Sequence, residues 1–209
     1  MSLVLHDYEL DSDSYKVRLL LSALGLPYAK VAVNVHPGHE QRSPAYLRLN
    51  PLGNLPILVD GETTLRDSGA ILCYLARLHD REGQWLPANP VPFGEVMMWL
   101  FFAGADLAPA TLARLHHMLE VPADADAVGA ASRRAFRIMD DHMTKRELEG
   151  FAWFVGDQAT LADIALFPAI ALSRDFGIDH DEYPALRRWM RRVRTIPGFI
   201  TMPGIPDYH

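Results

Sequence analysis

The spacing of apolar residues changes once along this chain, near residue 80, and the change restricts the folds that the chain can adopt. Before it, short apolar runs typical of strands alternate with helical spacing. The predicted strands are 3–5, 28–35, 55–59 and 62–65, and the predicted helices are 14–24 and 68–78. After it, only helical spacing remains, at roughly 92–119, 125–147, 160–173 and 182–195. The pattern predicts an α/β domain followed by an all-α domain.

A proline-rich connector separates the two patterns. Pro87, Pro90 and Pro92 fall within six residues, and closely spaced prolines stiffen a chain. Domain boundaries are commonly found in such segments. We therefore predict one domain over 1–81 and a second over 91–209.

The composition is that of a globular protein and excludes several classes. Hydrophobic residues make up 49% of the 209 residues, which argues against wholesale disorder. The formal charge of −6, from 20 Lys+Arg and 26 Asp+Glu, argues against a general nucleic-acid binder. The longest apolar stretch, 96–105, is short for a bilayer, and the N-terminal residues lack a secretion-signal pattern. With a single cysteine, Cys73, these observations predict a cytoplasmic protein with no membrane or nucleic-acid partner.

Four segments, in this order and spacing, resemble the cytosolic glutathione S-transferase family over nearly the whole chain. They are SYKVRLLLSALGLPY (14–28), NPLGNLPIL (50–58), LRDSGAILCYL (65–75) and GDQATLADIALFP (156–168). The pattern is most similar to the serine-type and cysteine-type, theta-like and beta-like branches. The resemblance implies a thioredoxin-like domain followed by a helical domain, glutathione as co-substrate, a small electrophile and a homodimer.

Two dipeptides are predicted to bind glutathione. Ser68 is expected to cap the helix that follows a strand, so that free N–H groups receive the γ-glutamyl carboxylate, while Asp67 accepts from the neighbouring ammonium. The resemblance implies a cis Leu55–Pro56 bond, with the Leu55 main chain pairing with the cysteinyl residue as an added strand would. An ordinary helix cap and a trans proline at an edge strand are the alternatives.

The glycyl carboxylate is assigned by resemblance to Gln41 and Asn54. Relatives use polar or basic side chains at these positions. Both residues are equally compatible with a solvated loop.

Activation of the glutathione thiol is the point at which the sequence departs from the family pattern. The activating residue of the serine-type and cysteine-type branches corresponds to Asp11, and an ionised carboxylate cannot donate a hydrogen bond to a thiolate. Three hydroxyl groups remain as alternatives. Ser12 is adjacent, Ser14 is expected to cap the first helix, and Tyr8 ends the first strand.

Other motifs have structural interpretations. Thr160 and Asp163 form a capping-box pattern, which is expected to serve folding. The histidines lack cysteine or carboxylate partners at ligand spacing, so no metal site is predicted. The arginine-rich segment 187–194 is interpreted as the solvated face of an amphipathic helix. The apolar segment 97–102 is compatible with a substrate pocket, a dimer interface or core packing.

The resulting prediction is a glutathione S-transferase that activates glutathione for attack on an apolar electrophile, a detoxification reaction. Two alternatives remain. One is a non-catalytic binding or regulatory module, which Asp11 favours. The other is a glutathione-dependent reductase or isomerase.

Overall fold

The computed structural model describes residues 3–206, and its first half is built on a four-stranded sheet. The strands are β1 (Leu3–Asp7), β2 (Tyr28–Ala32), β3 (Ile57–Asp60) and β4 (Thr63–Arg66). Their order in the sheet is β2-β1-β3-β4, in which β1 and β2 are parallel and the other pairs are antiparallel. The α/β prediction for this half is confirmed.

Three helices cover the sheet: α1 (Ser12–Ala23), α2 (Pro44–Leu49) and α3 (Ser68–His79). Successive strand residues point to opposite faces, so Leu58 joins the main core with α1 and α3, whereas Ile57 packs with Tyr46 of α2. The helices therefore lie on both faces of the sheet.

The second half consists of helices α4 (Pro90–Ala105), α5 (Ala108–Leu119), α6 (Ala125–Leu148), α7 (Leu161–Ala171) and α8 (Pro184–Val193). Helix α7 is buried on almost every side, and it contacts α4, α8 and α1. One continuous apolar core therefore joins the two halves. The outer ends of the predicted domains, residues 1–2 and 207–209, lie outside the described residues.

The predicted helix over 92–119 is wrong as a single element, because the chain breaks at Asp106 and Leu107. The N–H groups of both residues donate to the Phe102 carbonyl. Pro109 would place its ring against the carbonyl of Ala105 in a continuous helix, and α4 ends at Ala105.

Helices α4 and α5 together, Pro90–Leu119, form a segment that is long and apolar enough to cross a membrane, and 39% of its most apolar stretch is buried. The prediction that the longest apolar stretch is too short for a bilayer therefore applies only to an uninterrupted run of apolar residues, 96–105. Core helices of soluble proteins pass the same test, and α4 packs against α7.

Two boundaries near the predicted site also differ from expectation. Helix α1 begins at Ser12 rather than Ser14, because Asp11 supplies its N-cap. Strand β2 ends at Ala32 rather than at residue 35.

Candidate functional site

A cleft of about 260 Å³ opens between the sheet domain and helix α5. The wall from the first half includes Tyr8, Asp11, Gln41, Asn54 and Leu55. The opposite wall comes from α5 and includes Thr111, Arg114, Leu115 and Met118. The cleft thus collects three of the six predicted glutathione-binding positions, Gln41, Asn54 and Leu55, and faces them with a largely apolar helix.

The Leu55–Pro56 peptide bond is cis, as the resemblance implied. The pairing of β1 with β3 ends at His6 and Ile57, so Leu55 lies beyond the ladder and on the cleft wall. Because this ladder stops before Leu55, the main chain of Leu55 is available for an added extended segment.

Asp67 and Ser68 lie at the same end of the sheet, because β4 pairs Arg66 with Ile57. Asp67 has φ +83°, a strained conformation for a residue other than glycine. Such strain costs about 1–3 kcal/mol and is concentrated at binding and catalytic sites.

The prediction that Ser68 caps α3 is wrong by one residue. The Asp67 carboxylate accepts from the Ala70 N–H at 2.9 Å and is the N-cap, while Ser68 is the first helical residue. Aspartate and serine cap helices about equally well, so the non-helical backbone of Asp67 decides between them.

Asp13 is a neighbour of Ser68 that the sequence analysis missed. Its Oδ1 accepts from Ser68 Oγ at 3.0 Å and from Lys16 Nζ at 2.6 Å. Burial opposes ionisation of Asp13, but the Lys16 ammonium and these hydrogen bonds outweigh it and lower the pKa of the carboxyl. The three-residue spacing of Asp13 and Lys16 on one helix face was the available signal.

Asp11 occupies the N-cap of α1, in place of the predicted Ser14. Its Oδ2 accepts from the Ser14 N–H at 2.6 Å. Burial, and then the charge of Asp13, raise the pKa of the Asp11 carboxyl to about 7. An aspartate with this pKa is substantially protonated near neutrality, so the objection to Asp11 as a hydrogen-bond donor does not hold here.

The three candidate hydroxyl groups occupy different environments. Tyr8 is half-buried and lines the cleft. Ser12 and Ser14 are buried, with 7% and 0% of their surface exposed, and neither lies in the cleft wall.

Two buried arginines hold the segment between β1 and α1. Arg18 donates to the carbonyl oxygens of Tyr8 and Glu9, at 3.3 and 2.9 Å. Arg114 reaches from α5 to the Leu10 carbonyl at 2.6 Å. The segment that carries Tyr8 and Asp11 is therefore positioned by both halves of the molecule.

Arg114 was also missed by the sequence analysis. Its Nε forms an ion pair with Asp175 at 2.6 Å, and only 5% of the residue is exposed. One arginine on an amphipathic helix gives no local signal, because its partners are remote in sequence.

Gln41 and Asn54 both line the cleft but differ in their surroundings. The Asn54 side chain accepts from Asn50 Nδ2 at 2.5 Å, and its main-chain carbonyl accepts from Tyr46 Oη at 2.8 Å. Gln41 Oε1 is buried without a hydrogen-bond partner within residues 3–206. Of the two side chains, Gln41 is therefore the one with a buried polar atom that has no partner among the described residues.

A second cavity, about 670 Å³, lies between α3 and α4. Lys16, Asp67 and Ser68 line its polar end, and Met97 and Phe101 line its apolar end. Phe101 is 70% exposed, whereas Trp99 packs in the core. The apolar segment 97–102 therefore contributes both to the core and to an open surface.

The capping box at the start of α7 is confirmed. Asp163 is fully buried and accepts from the Thr160 N–H at 2.9 Å, while Thr160 caps the helix. Within residues 3–206, no group of three or more His, Cys, Asp or Glu side chains is arranged to hold a metal ion.

The chain matches two family descriptions: residues 1–77 match "Glutathione S-transferase, N-terminal domain", and residues 107–197 match "Glutathione S-transferase, C-terminal domain". It is 33% identical to a maleylacetoacetate isomerase of Rhizobium meliloti, over 94% of this chain and 93% of that protein.

Comparison with solved structures agrees with these sequence matches. A glutathione S-transferase from Pseudomonas fluorescens has a TM-score of 0.86 at 28% identity, covering 97% of this chain and 100% of that one. A glutathione transferase homologue from Drosophila mojavensis, with bound glutathione, has a TM-score of 0.83 at 27% identity, covering 94% and 89%. The chain belongs to the cytosolic glutathione S-transferase family.

Proposed function

We propose that this protein is a glutathione S-transferase that binds glutathione at the sheet edge and presents its thiol to an electrophile held against α5. The observation that carries the proposal is the placement of Leu55 and the Asp67–Ser68 pair at one end of the sheet, where Leu55 lines the cleft and Ser68 donates to Asp13, which also lines it. A γ-linked tripeptide needs partners for two carboxylates, an ammonium and its main chain, and this region offers all of them.

The γ-glutamyl end is assigned to the start of α3. The first-turn N–H groups and Ser68 suit the carboxylate, and the acidic side chains of Asp67 and Asp13 suit the ammonium. The lowered pKa of Asp13 keeps that carboxylate charged at neutral pH.

The rest of the tripeptide extends along the cleft. The cysteinyl main chain pairs with Leu55, next to Pro56, and the glycyl carboxylate lies near Gln41 and Asn54. The candidate hydroxyl donors to the thiolate are Ser12, Ser14 and Tyr8. Among them, Tyr8 is favoured because it lies on the cleft wall.

The electrophile is proposed to be small and largely apolar, since Leu115 and Met118 line the α5 side. On this view, 1–81 binds glutathione and 91–209 supplies the electrophile site. A cytoplasmic location and a role in detoxification are proposed with it. Exposed Met98 and Phe101 on α4 support a homodimer.

A glutathione-dependent isomerase is the second candidate. It is favoured by the relative from Rhizobium meliloti and by Arg114, a cation on the cleft wall that suits an anionic substrate. Isomerisation would use the same glutathione site, so the two candidates differ in the second substrate and in whether glutathione is consumed or regenerated.

Calorimetry with reduced glutathione, followed by an assay with chlorodinitrobenzene, tests the proposal. We expect saturable heat and turnover, and Ser68→Ala should weaken glutathione binding about tenfold, the loss of one charge-assisted hydrogen bond. Ser132→Ala, a helix serine outside the cleft, is the control. If glutathione binds but neither chlorodinitrobenzene nor an unsaturated dicarboxylate, the substrate type for the isomerase, is turned over, the result would favour the non-catalytic module. If glutathione gives no heat of binding, the proposed glutathione site would be excluded.

A further inference from the structure

We propose that the Asp11 carboxylate is the base that removes the proton from the glutathione thiol. This inference rests on the proposed function, because it requires glutathione in the cleft. It assigns a catalytic role to the residue that departs from the family pattern, in addition to its role as a helix cap.

The position of Asp11 supports this assignment. The residue lies on the cleft wall at the N-terminus of α1, and its N–H donates to the Tyr8 carbonyl at 3.0 Å. Leu55, the proposed partner of the cysteinyl main chain, lines the same cleft. Asp11 therefore lies in the cleft that is proposed to hold the thiol.

The capping hydrogen bond leaves the Asp11 carboxyl able to accept a proton. The capping bond to Ser14 uses Oδ2, so the carboxyl is oriented by a main-chain group instead of being fully enclosed by donors. Arg114 and Arg18 hold the preceding carbonyl groups, which fixes the approach of the segment to the cleft.

The proton transfer is balanced within the site. The S–H bond of glutathione breaks, an O–H bond forms on Asp11, and the electron pair stays on sulfur as the thiolate. The neutral carboxylic acid then donates to that thiolate, aided by the N-terminal amides of α1. When sulfur attacks a halogenated carbon, halide departs with its electron pair, and Asp11 releases the proton to solvent.

The charged and titratable groups around Asp11 fit this role. Asp13 and Lys16 act on it from α1, and the charge of Asp11 contributes to the raised pKa of Tyr46 on α2. Tyr8 lines the same wall of the cleft, and Arg114 lines the opposite wall. The pKa of about 7 lies within about two units of a free thiol, near 8.5. An ordinary carboxyl, near 4, would be a far weaker acceptor.

Asp11→Asn is the decisive variant, because asparagine also caps helices. We expect the ultraviolet absorbance of bound thiolate at neutral pH to disappear and kcat/KM to fall about 10²–10⁴-fold. Glutathione affinity should change less than about threefold. Asp124→Asn, the same change at the exposed cap of α6, is the control. Undiminished thiolate absorbance in Asp11→Asn would overturn the inference.

A second measurement uses the unmodified protein. Calorimetry in buffers of different ionisation enthalpy counts the protons that are released when glutathione binds. The experiment is run about one pH unit above the Asp11 pKa, where the carboxyl is mostly ionised. A base that keeps the proton gives thiolate absorbance with almost no release, whereas a hydroxyl donor gives close to one proton per site. Release of one proton would exclude Asp11 while leaving the proposed function intact, and no binding heat would remove both.

Discussion

Two aspartates at the starts of two helices differ in what surrounds them. Asp11 begins α1 and Asp163 lies in the first turn of α7. Burial raises the pKa of both carboxyls, to about 7 for Asp11 and about 6 for Asp163. Residue type, a place at the N-terminal end of a helix and a raised pKa are therefore shared by the fully buried Asp163 and the partly exposed Asp11, and none of these separates a structural group from a reactive one.

The number of fixed donors separates them. Both oxygens of Asp163 are occupied, because Oδ1 accepts from the Phe154 N–H and Trp189 Nε1, and Oδ2 accepts from Thr160. Asp11 accepts from one main-chain N–H and lines a cleft. A buried carboxyl whose two oxygens both accept hydrogen bonds stabilises the fold. A carboxyl beside a cleft that still has an oxygen able to accept a hydrogen bond can exchange a proton.

The largest expected effect is at Asp163. Asp163→Ala should lower the free energy of unfolding by about 3–5 kcal/mol, because three buried donors lose their acceptor at about 1–3 kcal/mol each. Denaturant unfolding measures this, with Asp124→Ala, an exposed cap, expected near 1 kcal/mol. Activity per folded molecule should stay unchanged. A loss no greater than that of Asp124→Ala would show that the Asp163 bonds are not structural.

Arg114→Met tests whether Asp11 depends on its positioning from the helical half. The change removes the ion pair with Asp175 and the bond to the Leu10 carbonyl, and should cost about 1–3 kcal/mol of stability. It should also lower kcat. Arg133→Met breaks an exposed pair with Glu182 and should cost less than about 1 kcal/mol. Equal kcat values for the two variants would argue against positioning by Arg114.

The last prediction concerns the pH dependence of stability, which changes gradually with pH. The folded-state pKa of Asp11 lies above its unfolded value, so its contribution to stability is present at low pH and is lost as pH rises from about 4 to about 7. Asp11→Asn should remove this loss, which is at most about 1.4 kcal/mol per pH unit. Thermal unfolding from pH 4 to 8 compares the two proteins. Parallel stability curves would mean that the Asp11 pKa is unperturbed.

The predictions from sequence succeeded where a few neighbouring residues decide the structure. The capping box at Thr160 depends on a three-residue spacing, and the change in apolar period near residue 80 reports local element type. Most boundary errors were of one to three residues, and the largest error was the single helix predicted over 92–119, which is two helices. Asp67 and Ser68 are equally good caps, and only the positive φ of Asp67 selects it.

The sequence by itself determined the two halves of the fold and their order, because spacing and turn chemistry act over short distances. The segments proposed to bind glutathione were assigned by resemblance to the family. Only the tertiary structure decided which side chains meet in the cleft. Arg114 contacts the carbonyl of Leu10 across 104 residues of chain, and Asp13 contacts Ser68 across 55. Burial in the folded chain, and then the charge of Asp13, also raise the pKa of Asp11, and no local pattern encodes that burial.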